Sequence, residues 1–155
     1  MDSNLRNALR TLHELVTTHA GSYGELVGRY VARGCELFGM ETGIASRIGE
    51  DYLIEAAQSP LAPIVVGARM ALQDTYGAAV VREGRTVAYA DVRAVPALQD
   101  HYCTTTLGLV STISTPIRVD GALYGTLSFS SQQARPRPFA PWEHELIELM
   151  AGALG

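Results

Sequence analysis

Two cysteines, four histidines and two hydroxyl-rich runs are the side chains of this 155-residue chain that could do chemistry. Cys35 and Cys103 stand far apart with no Cys-x-x-Cys pair, so neither a zinc ribbon nor a disulfide framework is encoded. His13 and His19 fall on or just after a first helical segment, and His144 opens the last one. Surface or interface packing accounts for all three. His101, two residues before Cys103, is the histidine best placed to face a pocket, in a hydrogen-bonding role. Haem or metal ligation would need further ligands in an organised shell, and no metal site is expected. The hydroxyl runs are Ser111, Thr112, Ser114 and Thr115, then Tyr124, Thr126, Ser128 and Ser130. They read either as the wall of a partly covered polar pocket or as the solvated face of a sheet. The pocket is the preferred reading, because the mid-chain helices have to pack somewhere. Asp74, Tyr76 and Arg69 are expected at its rim. No Ser-His-Asp set, paired-carboxylate motif or Gly-rich phosphate loop stands out.

Composition removes whole classes of function. The 12 basic residues are all arginine, scattered along the chain, and 16 acidic residues bring the formal charge to −4. Without a basic stripe there is no phosphate footprint, so no nucleic-acid partner is expected. Without lysine the chain cannot by itself be a P-loop nucleotidase or a Schiff-base enzyme. The start is not a signal peptide, and no apolar run approaches the roughly 20 residues that span a bilayer. A cytoplasmic single domain over residues 1–155 is expected, with a helix over 2–19 and a core over 22–155.

The elements that must position these groups follow from periodicity. Leu5, Leu9, Leu12 and Val16 recur at spacings of four and three, a coiled-coil-like seam on a helix from Ser3 to Thr18. That seam suits either packing on its own domain or pairing with a second copy. Ser22 with Glu25 forms a capping-box signature for a second helix, which runs to Phe38 and stops at Gly39. Period-two patterning over Gly43–Ile48 and Tyr52–Ala57 predicts two strands around a tight turn. Short strands are expected at Arg69–Leu72 and Thr86–Tyr89. Between them, Asp74 or Thr75 is expected to cap a helix that ends at Gly84. A weakly helical stretch follows from Pro96 to Gly108. Val110–Val119 and Leu123–Ser131 flank Asp120-Gly121, a strong hairpin signal. A last helix opens at Pro141, with Trp142, Leu146, Leu149 and Met150 on its apolar stripe. Hairpin-linked strands with helices at both ends predict an α+β fold on an antiparallel sheet.

Several of these stretches resemble GAF domains. The passage Cys35-Glu36-Leu37-Phe38-Gly39-Met40-Glu41-Thr42-Gly43-Ile44 is similar to their helix-to-first-strand passage. Asp74-Thr75-Tyr76 resembles their mid-domain helix entry. Thr115-Pro116-Ile117 through Gly121, then Tyr124-Gly125-Thr126-Leu127-Ser128-Phe129, resembles their central hairpin, and Arg137-Pro138-Phe139 with Trp142-Glu143 their closing helix. The resemblance covers nearly the whole chain and points to modules of bacterial sensor histidine kinases and related signalling proteins. It implies a PAS-related antiparallel sheet of about six strands. The N- and C-terminal helices would cover one face, and the mid-chain helices and loops the other. It also implies a small-ligand pocket, lined here by Asp74, Tyr76, His101, Cys103, Ser111, Ser114, Thr126 and Ser128. Dimerisation would run through Leu5, Leu9, Leu12, Val16, Trp142, Leu146 and Leu149, and the signal would pass to a downstream domain of the parent chain.

The family admits other ligands and one enzyme. The cyclic-nucleotide signature ends here in Phe139 and Glu143, but His144 replaces its last acid and the lysine is missing. The Cys-His attachment site of bilin-binding members falls near Gln99 and Asp100, whereas Cys103 precedes Thr104. Free methionine sulfoxide reductases place a nucleophilic cysteine near Cys103, with resolving cysteines elsewhere. A sulfenic acid there would need a second thiol, and Gly77 stands where related sequences often have one. The expected function is a non-catalytic sensory module, with no cofactor required by the sequence and its ligand left open. A reductase using Cys103 and a bilin photosensor are the alternatives.

Overall fold

A computed structural model describes residues 3–17 and 21–155, without the side chains of Leu5 and 15–17. The dimer candidates Leu5 and Val16, and His19, therefore lie outside the described side chains. Helix α1 spans Ser3–Thr17 and α2 spans Tyr23–Phe38. Ser22 caps α2 by accepting the Glu25 N–H at 3.1 Å. Gly39 ends it in the left-handed region at φ 66°, where Met40 N donates back to the Cys35 carbonyl. Strands β1 (Thr42–Ile48) and β2 (Tyr52–Gln58) form the first hairpin, and β3 (Arg69–Met70) is an edge. Helix α3 (Gly77–Glu83) precedes β4 (Val87–Tyr89), and α4 (Tyr102–Thr105) follows two 3-10 turns. Strands β5 (Ser111–Val119) and β6 (Ala122–Ser131) make the long hairpin before α5 (Pro141–Leu154). Asp120 and Gly121 both carry positive φ, 52° and 80°, as the type I′ turn of that hairpin requires.

The sheet is antiparallel, in the order β3-β2-β1-β6-β5-β4, and its two faces build separate cores. On one face α1, α2 and α5 bury Ala8, Tyr30, Phe38, Leu146 and Met150 against Ile113, Leu127 and Phe129. On the other, the chain between β2 and β5 packs Ile64, Tyr76, Cys103 and Leu109 on Tyr52 and Ile54.

Four expectations need correction. Neither Asp74 nor Thr75 caps a helix. Leu72–Asp74 is a 3-10 turn whose carbonyl takes the Thr75 hydroxyl, and α3 starts at Gly77 after Tyr76 without a side-chain cap. Residues 96–108 are broken turns around a four-residue helix, since the apolar positions there serve the roof of a cavity and not one helical face. Leu146 is fully buried within the protein's own core and is not free to form the dimer seam, while Leu12 and Trp142 are half-buried and pack in part against that core. Tyr124 leaves the hydroxyl face. It is skipped in the β5–β6 pairing at a bulge and packs on the helix-side core, its hydroxyl donating to Glu55.

Candidate functional site

The second face encloses a small cavity of about 30 Å³. Its floor is the sheet: Ile44 from β1, Tyr52 from β2, Thr112 from β5, and Ser128 and Ser130 from β6. Strand alternation explains this selection. Thr112 and Ser114 share the cavity side of β5, while Ser111, Ile113 and Thr115 point to the helices. The roof comes from Ile64 and Met70, from Thr75, Tyr76 and Gly77 at the entry to α3, and from Cys103, Leu107 and Leu109 around α4.

The expected pocket residues therefore separate. Tyr76, Cys103 and Ser128 line the cavity. Ser114 and Thr126 lie one step beneath it: Ser114 Oγ is 2.5 Å from Ser128 Oγ, and Thr126 Oγ1 is 2.8 Å from Ser46 Oγ. His101 sits above the roof. Its ring stacks 4.9 Å from that of Tyr76, and its Nδ1 accepts the Cys103 N–H as the cap of α4. Asp74 is exposed and contributes only its carbonyl, which accepts from Cys103 Sγ at 3.2 Å. Ser111 is on the opposite face, donating to the Gln133 carbonyl at 2.8 Å, because its parity is that of Ile113.

Sequence reasoning missed Tyr52, Thr112 as distinct from its neighbours, and the aliphatic roof. Tyr52 begins a strand with period-two pattern, the one signal that could have placed it. A bulge at Glu55 then reverses the parity, so that Ile54 faces the cavity and Ala56 the helices. The roof residues follow no period and left no signal.

Burial dominates the electrostatics of the site. Burial pushes the Cys103 thiol up to about 12, with the Asp74 charge adding to the effect and the Tyr76 backbone N–H opposing it. Burial likewise pushes the Tyr52 phenol to about 12, against hydrogen bonds from Ser46, Thr126 and Ser128. Tyr76 rises to about 12 by burial; its hydroxyl donates to the Leu109 carbonyl at 2.6 Å and lies 2.7 Å from the Thr104 hydroxyl. Cys35 is raised to about 11 by burial and then by Glu41 and Glu36, and it belongs to the helix-side core. The two thiols thus lie on opposite sides of the sheet.

Outside the cavity, charged side chains are tied into structure. Glu143 accepts from Arg135 at 2.8 Å and from the Ala140 N–H at 2.9 Å, closing the loop before α5. Glu148 of α5 accepts the Thr86 hydroxyl at 2.6 Å, and Thr86 lies 2.8 Å from Thr115 on β5. Among the described residues no group of three His, Cys, Asp or Glu could hold a metal ion, and no helix is long and apolar enough to cross a membrane.

This architecture, a six-stranded antiparallel sheet with terminal helices on one face and a roofed cavity on the other, defines an α+β sandwich domain. The GAF domain family profile matches residues 2–155, and the chain belongs to that family. Solved structures agree on the fold. The GAF domain of an Acinetobacter phosphoenolpyruvate-protein phosphotransferase superposes with TM-score 0.76 at 12% identity, over 99% of this chain and 91% of that one. Free methionine-R-sulfoxide reductase from Neisseria meningitidis, in complex with its substrate, gives 0.77 at 21%, over 99% and 89%. The chromophore-binding domain of Stigmatella aurantiaca phytochrome P1 gives 0.73 at 16%, over 96% of this chain and 58% of that one. No curated protein sequence matches the chain.

Proposed function

We propose that this GAF domain is a non-catalytic sensory module of a cytoplasmic bacterial signalling protein, of the sensor histidine kinase kind. It would bind a small ligand in the cavity, pair with a second copy through its terminal helices, and pass the signal to a downstream domain. One observation carries the reading: β6 serves both faces at once. Ser128 and Ser130 line the cavity, while the intervening Phe129 is fully buried under α2. A ligand that shifts β6 must shift the helix seat as well.

Cys103 is the feature that favours the reductase alternative, since it lines the cavity. Its chemistry supports the non-catalytic reading instead. A buried thiol held near pKa 12 presents almost no thiolate, Gly77 puts no second thiol on the cavity wall, and Cys35 lies across the sheet. The test is incubation with free methionine-R-sulfoxide and dithiothreitol. No methionine should form. Turnover that disappears in Cys103→Ser would establish the enzyme and remove the proposal.

A further inference from the structure

We infer that the cavity selects an uncharged, mainly apolar ligand and rejects ions of the same shape. The inference rests on the cavity being the sensory site, and it adds the chemical class of the ligand. No residue lining the cavity carries a charge at neutral pH. Hydroxyls on the sheet are already paired, Ser130 donating to Thr112 at 2.9 Å and Ser128 lying against Ser114. On the roof, Tyr76 is bonded to the Leu109 carbonyl and Cys103 to that of Asp74. Among the described residues no buried side-chain polar atom lacks a partner. The wall therefore offers no counter-ion and no polar atom without a partner, and a buried ion would lose its hydration with only shared hydroxyls to replace it. An apolar body loses nothing on entry, and the existing hydroxyls could share one hydrogen bond with it.

Size and access point the same way. About 30 Å³ accommodates a few atoms at most, so a ring-sized ligand has to displace part of the roof. Ile64 is the roof residue carried by an exposed loop. It belongs to the loop between β2 and β3, where the next two residues, Val65 and Val66, are 53% and 66% exposed. Gly67 then turns the chain at φ 90° and anchors it by donating to the Ile54 carbonyl. The loop beside the plug is thus itself apolar and would favour a neutral molecule at the entrance.

Benzyl alcohol, benzoate and benzylammonium share one skeleton and differ in charge. Thermal unfolding of the protein with each at millimolar concentration reads the preference directly. At tenfold excess over its Kd, benzyl alcohol should raise the midpoint by about 3–6 °C, while both ions leave it unchanged. The amide resonances of Leu107, Leu109 and Ser130 should move with benzyl alcohol in the unaltered protein. Cys103→Met, which fills the cavity, should abolish the stabilisation. If either ion stabilises as strongly as the alcohol through the same resonances, the ligand class is overturned while the sensory site stands. If none of the three moves those resonances or the midpoint, the cavity is not a ligand site and both readings fall. Shifts confined to other residues, or full stabilisation retained in Cys103→Met, place the alcohol elsewhere and overturn the inference.

Discussion

The seat of α2 on the sheet is set by one residue without a side chain. A Cβ built on Gly34 would lie 2.0 Å from Phe129 Cζ, where carbon atoms in contact sit about 3.5–4.0 Å apart. Phe129 cannot swing aside, because its ring is fully buried and packs against Phe38 at 5.0 Å. Gly34→Ala therefore forces helix and sheet apart by roughly 1.5 Å or drives the ring off its rotamer, an overpacking cost of about 1–3 kcal/mol. The same change carries a helix-propensity gain of about 1 kcal/mol, which would obscure the cost if measured alone. Gly28 supplies the control, since it lies in the same helix and a methyl group there would meet nothing within 4 Å. Gly28→Ala should stabilise by about 0.5–1 kcal/mol. The difference between the two variants cancels propensity and isolates packing. For a domain of this size it corresponds to a gap of about 2–12 °C in Tm, with Gly34→Ala the lower. Circular dichroism melts and urea titrations of both variants measure it. In the Gly34→Ala background, Phe129→Leu should cost less than in the unaltered protein, because it removes the clashing ring. Equal stability of the two alanine variants would refute the close helix–sheet seat and the coupling drawn from it.

Other consequences can be checked with modest effort. At pH 8 thiols of pKa about 12 and about 11 are ionised roughly once in 10⁴ and 10³ molecules, so neither Cys103 nor Cys35 should react with iodoacetamide unless guanidinium is added. Native labelling within tenfold of free cysteine contradicts the burial argument. Cys35, Cys103, Tyr52 and Tyr76 all have raised folded values against ordinary ones of 9.0 and 10.0. Their contribution is complete below pH 9 and is lost as pH rises towards 12, by about 1.4 kcal/mol per pH unit for each group. Denaturant titrations from pH 8 to 11 should show this fall, shallower in Cys103→Ala, and a flat profile contradicts it. Arg135→Ala leaves the 5%-exposed Glu143 side chain without its cation and should cost about 3 kcal/mol, visible in urea unfolding. Light scattering should find a mass near twice 16.7 kDa, reduced in Leu149→Asp, whose wild-type side chain is 42% exposed. A monomeric unaltered protein removes the dimer.

Short-range chemistry was legible in the residues themselves. Asp120-Gly121 dictates a type I′ turn, Ser22 finds the Glu25 amide, and Gly39 takes the left-handed conformation that a side chain would resist. The candidate site was only half legible, for two physical reasons. A strand tells alternate residues apart but not which set faces a ligand, so Ser111 and Ser114 looked equivalent until β5 was paired. Bulges then change parity without a sequence mark, which moved Tyr124 and reversed the order at Ile54 and Ala56. The α1 seam carried a third ambiguity. Leucines spaced by three and four bury equally well against their own domain or a second copy, and the half-buried Leu12 packs in part against its own domain.

The two bulges also tie the parts of the fold to one another. Glu55 and Tyr124, the residues each bulge leaves unpaired, meet in a hydrogen bond on the helix side. Between them, Gly125 lets β6 approach β1 so closely that a Cβ there would lie 1.7 Å from the Ser46 carbonyl oxygen. Ser46 in turn holds Thr126, beneath the cavity floor. The centre of the sheet is thus a single tightly packed unit, with cavity hydroxyls on one side and Phe129 locked under Gly34 on the other. Such a unit has little freedom to absorb a displacement locally. A ligand wedged against Ser128 and Ser130 should therefore be felt at α2. The roof, built from loops and short turns between Ile64 and Leu109, lies outside that unit and is where a ligand would have to enter.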